Sequence, residues 1–190
     1  MSKPAAPRYR TTNWSAYNAA LKQRGSLEIW FDPWMTWLSA PCGRPGRPMR
    51  FSDSAIELCL TFKVLFKLPL PQATGLVASV LKLAGLDWLV PDYTTLCRRQ
   101  RTLDIALGGR PSSEGLHLLV DSTGMGERSA KKWSGYRQRN LVETTMHCFK
   151  LPGQRVAART FDRQKTELKV RAAILNRFSQ IGTPNTIRIV

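Results

Sequence analysis

Acidic side chains are the scarce class in this chain. Thirteen Asp and Glu stand against 29 Lys and Arg, a formal net charge of +16 over 190 residues. Such an excess draws a protein to polyanions, nucleic acid first, with strong salt dependence. A ribosomal or RNA-binding protein would carry the same charge, so charge alone does not choose the partner. Cysteine and histidine are also few. Cys42, Cys59, Cys97 and Cys148 form no C-x-x-C pair, and His117 and His147 lack zinc-finger spacing. A disulfide scaffold and a zinc module are thereby disfavoured, and the thiols read as reduced. No apolar run approaches membrane-spanning length, and the start, MSKPAAPRYR, is basic and Pro-rich with no apolar stretch behind it. A cytoplasmic, nucleoid-bound protein is expected, with no membrane partner. There is no repeat, no low-complexity tract and no aromatic platform for single-stranded RNA.

What is present is a mainly helical pattern. A hydrophobic content of 43% supports one ordinary domain or two small ones. Residues 1–11 read as a disordered basic arm. Thr12 or Asn13 caps a helix from Trp14 to about Arg24, ended by Gly25. Pro41–Pro48 is a Pro/Gly linker bearing Arg44 and Arg47. It is either a solvated connector or an arm that follows a DNA backbone or minor groove. Ser54 and Glu57 form a capping box that opens a helix to about Lys67, with Ile56, Cys59, Leu60, Lys63 and Val64 at helical spacing. Pro69-Leu70-Pro71 breaks the chain. A helix from Gln72 to Leu83 follows, with Leu76, Val80 and Leu83 on one side, and Gly85 stops it. Pro91-Asp92 then starts a helix from Thr94 to about Leu103 that carries Arg98, Arg99 and Arg101.

Three short helices, the last one basic, fit a helix-turn-helix arrangement in which the last helix enters the major groove. A plain helical bundle with a basic outer face fits the same string. The stretch from Gly108 to Ser113 reads as a linker, dividing a DNA-binding region, residues 1–111, from residues 112–190. Beyond it, Leu116–Val120 reads as a buried strand ending in Asp121. A final helix, Arg163 to Phe178, is capped by Asp162 and ended by Gly182. It turns Leu168, Ala172, Leu175 and Phe178 inward, behind a helix that carries Glu143.

That helix holds the densest chemistry. Tyr136, Arg139, Glu143 and Lys150 read Y-x-x-R-x-x-x-E-x(6)-K. At about 100° per residue they fall within roughly 60° of one another on one helix face. A carboxylate there can ligate Mg²⁺, and the cations can meet phosphate oxygens. The bland alternative is a surface helix with an ordinary Arg139–Glu143 ion pair. His147, one turn after Glu143, is a weak further candidate.

These strings carry a resemblance. Tyr9–Trp37, Phe51–Phe66, Gly85–Leu103, Leu116–Gly124 (LHLLVDSTG) and Trp133–Arg163 resemble, in order, bacterial insertion-sequence transposases of the DDE type, the insertion-sequence-five family. The Tyr136–Lys150 pattern resembles that family's signature around its catalytic glutamate. The resemblance implies an RNase H-like core, three carboxylates in the order Asp, Asp, Glu, and two Mg²⁺ ions that drive strand cleavage and transfer. Asp121 matches the first carboxylate and Glu143 the last, both as catalytic metal ligands. Tyr136, Arg139 and Lys150 would position the DNA end. The second aspartate should lie between them, yet Ser122 to Val142 contains no Asp, and its one acid is Glu127. The gap reads as an internal deletion with a junction between about Met125 and Lys131.

The expected fold is therefore mainly α with a little β. It combines an N-terminal helix-turn-helix-like region with a truncated RNase H-like remnant. The expected function is that of a transposase which binds terminal inverted repeats in double-stranded DNA but has lost cleavage. It would act as a homo-oligomer or mixed with intact subunits. Alternatives are a DNA-binding inhibitor of intact transposase and a decayed reading frame.

Overall fold

A computed structural model describes residues 8–32, 34–40, 48–107, 147–148 and 155–189. Their elements, in order, are β1 (Arg8–Thr11), α1 (Trp14–Arg24), a 3-10 turn (Leu27–Trp30), α2 (Asp53–Leu65), α3 (Leu70–Leu83), α4 (Tyr93–Arg99), α5 (Phe161–Ile181) and β2 (Thr186–Ile189). The architecture is mainly helical with a two-stranded sheet. The expected strand Leu116–Val120 and the linker at Gly108–Ser113 lie outside the described residues.

The core is built around α2. Its inward residues, Ile56, Cys59, Leu60 and Phe62, are almost fully buried, and each large apolar side chain so buried contributes about 1.5–3 kcal/mol. Val77 and Leu81 from α3, Leu96 from α4, and Val170 and Ile174 from α5 close on them. Trp37 and Phe51 cover one end, where the Trp37 indole N–H donates to the Leu89 carbonyl at 2.6 Å and its ring packs 5.1 Å from Trp88. Burial pushes the Cys59 thiol up to about 12, so it is an inert core group, as expected for a reduced structural cysteine.

The start of α2 differs from expectation. Ser52, not Ser54, is the cap: its hydroxyl oxygen accepts from the Ala55 N–H at 3.1 Å, and Ser54 is already helical. Ser52 has the advantage of a second bond, donating to the Thr36 carbonyl. Glu57 is instead a half-buried side chain whose carboxyl is raised by desolvation and by nearby Asp53.

The exit of α2 is a Schellman motif. Leu68 N–H reaches the Lys63 carbonyl and Lys67 N–H the Val64 carbonyl, while Lys67 takes φ 54°. A lysine in the left-handed region costs about 1–2 kcal/mol, and the helix ends close to the expected Lys67, at Leu65 with Phe66 as its cap. The exit of α3 repeats the motif with Gly85 at φ 71°. Between them, Phe66–Pro69 turns the chain so that α2 and α3 lie 110° apart. No single helix among the described residues is long and apolar enough to cross a membrane.

Two expected faces are corrected. On α3 the buried stripe is Ala73, Val77, Val80 and Leu81, while Leu83 is 88% exposed. The helix is apolar on several sides, so hydropathy alone does not select the side that meets α2. On α5 the buried residues are Thr166, Glu167, Val170, Arg171 and Ile174, while Leu168 is 38% exposed. Asp162 lies in its first turn rather than at its cap, which is Thr160. The displaced stripe has a physical cause: the inward face of α5 carries a buried ion network.

Glu167 is its centre. Its Oε1 accepts from the Ala157 N–H at 3.1 Å and from Arg171 at 2.9 Å, and its Oε2 accepts from Lys63 at 3.2 Å and the Ala158 N–H at 3.3 Å. Burial works to raise its pKa, but the Ala157 N–H, Lys63 and Arg171 outweigh that and hold the carboxyl below its ordinary value. Arg171 also donates to the Arg155 carbonyl at 2.7 Å. One carboxylate thereby joins α2, α5 and the segment preceding α5.

The basic arm is also corrected. Residues 8–11 form β1 and pair antiparallel with β2, Arg8 opposite Ile189 and Thr11 opposite Thr186. The partner strand lies at the far end of the chain, beyond the reach of local pattern. Below the ribbon, Asn13 exchanges hydrogen bonds with Thr183 and Asn185, and Arg24 reaches the Gly182 carbonyl. A Cβ on Gly182 would stand 2.9 Å from that of Ala20, so α1 and the end of α5 meet where only glycine fits.

Glu167→Ala should cost about 3–5 kcal/mol in chemical denaturation, because it leaves buried cations uncompensated. The stabilising term is fully present above the unfolded carboxyl value of about 4.3 and is lost as pH falls through the lower folded value. Wild-type melting temperature should therefore drop on acidification through that window, and Glu167→Gln should flatten the drop. Gly182→Ala should destabilise by about 1–3 kcal/mol through overpacking, read in the same denaturation assay.

Candidate nucleic-acid interface

The expected basic helix to about Leu103 ends at Arg99, and Arg98, Arg99 and Arg101 do not act together. Pro91 and Asp92 start the helix, and the Asp92 carboxylate accepts from the Thr94 N–H at 3.1 Å and its hydroxyl at 2.6 Å. Those bonds, with a smaller contribution from Arg98, hold Asp92 below the usual carboxylate range. Leu96 anchors the helix in the core. From that anchor the three side chains diverge. Arg99 donates to the Phe51 carbonyl at 3.2 Å and pairs with Asp53, tying α4 to the start of α2. Arg98 is exposed on one side. Arg101, just past the helix, is exposed beside a small mixed-charge cleft with Asp104, Asp162 and Lys169. There Lys169 neutralises Asp104 at 2.6 Å and lowers its pKa by that hydrogen bond.

Arg98 opens onto a much larger feature, a groove of about 1110 Å³. Its lining is mostly apolar, formed partly by Val64, Leu68, Leu70 and Ala157. Its walls come from the α2–α3 turn, α4 and residues 155–171. They bring together Lys67, Arg98, Arg155, Arg159 and Arg163. The acid among the described lining residues is Glu167, already bound to Lys63 and Arg171. The Arg163 Nε is buried without a hydrogen-bond partner among the described residues.

Of these cations, sequence reasoning singled out Arg98 alone. The spacing of Arg155, Arg159 and Arg163, every fourth residue, was the available signal. It was weak, because α5 begins only at Phe161 and the earlier part of the run is not helical. Lys67 was hidden in a turn that carries no glycine.

The remaining expected site residues, Asp121, Tyr136, Arg139, Glu143, Lys150, Arg44 and Arg47, lie outside the described residues, as does Glu127. His147 and Cys148 are described, and both are helical, with His147 exposed. Among the described residues no group of three or more His, Cys, Asp or Glu is placed to hold a metal ion. A Mg²⁺ site would therefore have to draw on residues elsewhere in the chain.

Comparison with known proteins gives one clear finding. The family described as transposase DDE domain matches residues 22–127, more than half of the chain. No solved structure matches it.

Because Arg99 bridges α4 to α2, Arg99→Ala should lower the unfolding midpoint. An unchanged midpoint would contradict the structural role.

Proposed function

The chain belongs to the transposase DDE domain family, and on that premise we propose that it binds duplex DNA at the terminal inverted repeats of a mobile element. A function in transposition follows from the family itself. The finer reading rests on the α2–α3 pair. Two helices about 90–120° apart, joined by a turn of three or four residues, make a helix-turn-helix, and the second helix enters the major groove. The 110° angle across Phe66–Pro69 suits that role. On this reading α3, rather than the basic helix α4, is the reading element. Its exposed face offers Gln72, Ser79 and Lys82, whose side chains can address base edges. The α4 helix is short and committed by Arg99 to the fold, so Arg98 and Arg101 serve as phosphate contacts beside it. Arg44 and Arg47, in the Pro/Gly linker, would follow the backbone or minor groove.

The chemistry is the part we propose is lost. Asp121 and Glu143 would supply two carboxylates, enough to hold one Mg²⁺ loosely with water completing its shell. Aligning two metal ions for in-line displacement needs a further bridging ligand. The segment from Ser122 to Val142, with no aspartate, does not supply the one the family uses. Tyr136, Arg139 and Lys150 would then hold a DNA end that is not cut.

Binding and cleavage are separable in one experiment. End-containing and scrambled duplexes are titrated across a salt series, then incubated with Mg²⁺ or Mn²⁺. The expected result is tighter binding of end DNA, reduced to the scrambled level by Gln72→Ala, without nicking. Equal affinity for both duplexes removes the specific reading, and nicking that disappears in Asp121→Ala removes the claim of lost cleavage.

A further inference from the structure

Apart from Arg98, the groove beside α4 has no role in the reading above, and it gathers five cations. Lys67, Arg98, Arg155 and Arg159 are exposed, and Arg163 is half-buried. None makes an ion pair with a carboxylate among the described residues, apart from the through-space influence of Arg98 on Asp92. The fold brings these cations together from three places in the chain and keeps them together. Glu167 fixes the Ala157 and Ala158 N–H groups, and Arg171 fixes the Arg155 carbonyl. Arg155, Arg159 and Arg163 lie beyond the segment that matches the family.

We propose that this groove is a docking track for the sugar-phosphate backbone of duplex DNA, lying alongside the α2–α3 pair. The inference rests on the DNA-binding reading and deepens it. Like charges concentrated on one concave surface repel one another unless a polyanion neutralises them. Arginine predominates among them, and its planar fork suits phosphate oxygens better than a point charge does. The apolar part of the lining suits the C–H edges of deoxyribose between phosphates. Leu70 and Pro71, at the start of α3, also line the groove. A backbone lying in it therefore passes the end of the helix that addresses the bases. Glu167 takes no part in contact; it is a positioning residue for the arginine-bearing wall.

The test is fluorescence anisotropy of a labelled random-sequence duplex with the full chain, from low to high salt. Arg155→Ala/Arg159→Ala should weaken binding at every salt and make the slope of log K against log salt shallower by about 1.8, as expected for two lost phosphate contacts. Arg10→Ala/Lys22→Ala removes the same charge outside the groove and should leave the slope unchanged. Both variants alter exposed side chains, and matching thermal melts check that each folds. Wild-type binding with an unaltered slope in the Arg155/Arg159 variant overturns the groove while leaving DNA binding intact. Failure of the wild-type chain to bind any duplex overturns both. Binding of a poly-glutamate peptide as tightly as DNA, lost with the same pair, replaces DNA by an acidic peptide and overturns the proposal as stated.

Discussion

The buried carboxylate of Glu167 is the constraint on which the rest of the structure depends. It lies on the inward face of α5 with hydrogen bonds to Lys63 of α2, Arg171 of its own helix and the backbone of Ala157 and Ala158. An isolated charge there would be untenable, and so would either cation alone. Their mutual satisfaction lets a helix from the far end of the chain enter the apolar core built by α2, α3 and α4. Hydrophobic side chains supply the bulk of the stability, while the ion network decides which face of α5 turns inward.

That choice of face has a consequence for the surface. With Glu167 and Arg171 inside, the segment from Arg155 to Arg163 is laid along the α2–α3 turn and α4. Charge that looks evenly spread in the sequence becomes concentrated on one groove. The corner between α2 and α3 depends equally on local detail, the left-handed Lys67 and the hydrogen bonds around it. The family assignment accounts for the kind of protein this is. The placement of these few side chains is what gives a DNA-binding reading physical content.

Much of the helical framework was legible in the sequence. The span Trp14–Arg24, the stop at Gly85 and the inward stripe of α2, including its lysine, all follow from periodicity and caps. What escaped had identifiable causes. Ser52 and Ser54 both stand at the start of the helix as cap-type residues, and the bond to Thr36 favours Ser52. The inward face of α5 is polar, so hydropathy points to Leu168 instead. The β1–β2 ribbon pairs opposite ends of the chain, which no local window can see. Of the candidate interface, Arg98 was found, and Arg99 was grouped with it although its guanidinium is engaged by Phe51 and Asp53. The groove as a whole was not legible, because only Arg155, Arg159 and Arg163 share a spacing, and the fold brings Lys67 and Arg98 to them from elsewhere in the chain.

On the reading proposed above, three separated segments form one DNA-facing surface. Hydrogen exchange of the full chain, followed by mass spectrometry with and without duplex DNA, tests it most directly. Added protection is expected in Lys63–Pro71, Tyr93–Arg98 and Arg155–Arg163 together, appearing at the same DNA concentration. Protection confined to other parts of the chain, or to one of these segments without the other two, would contradict it.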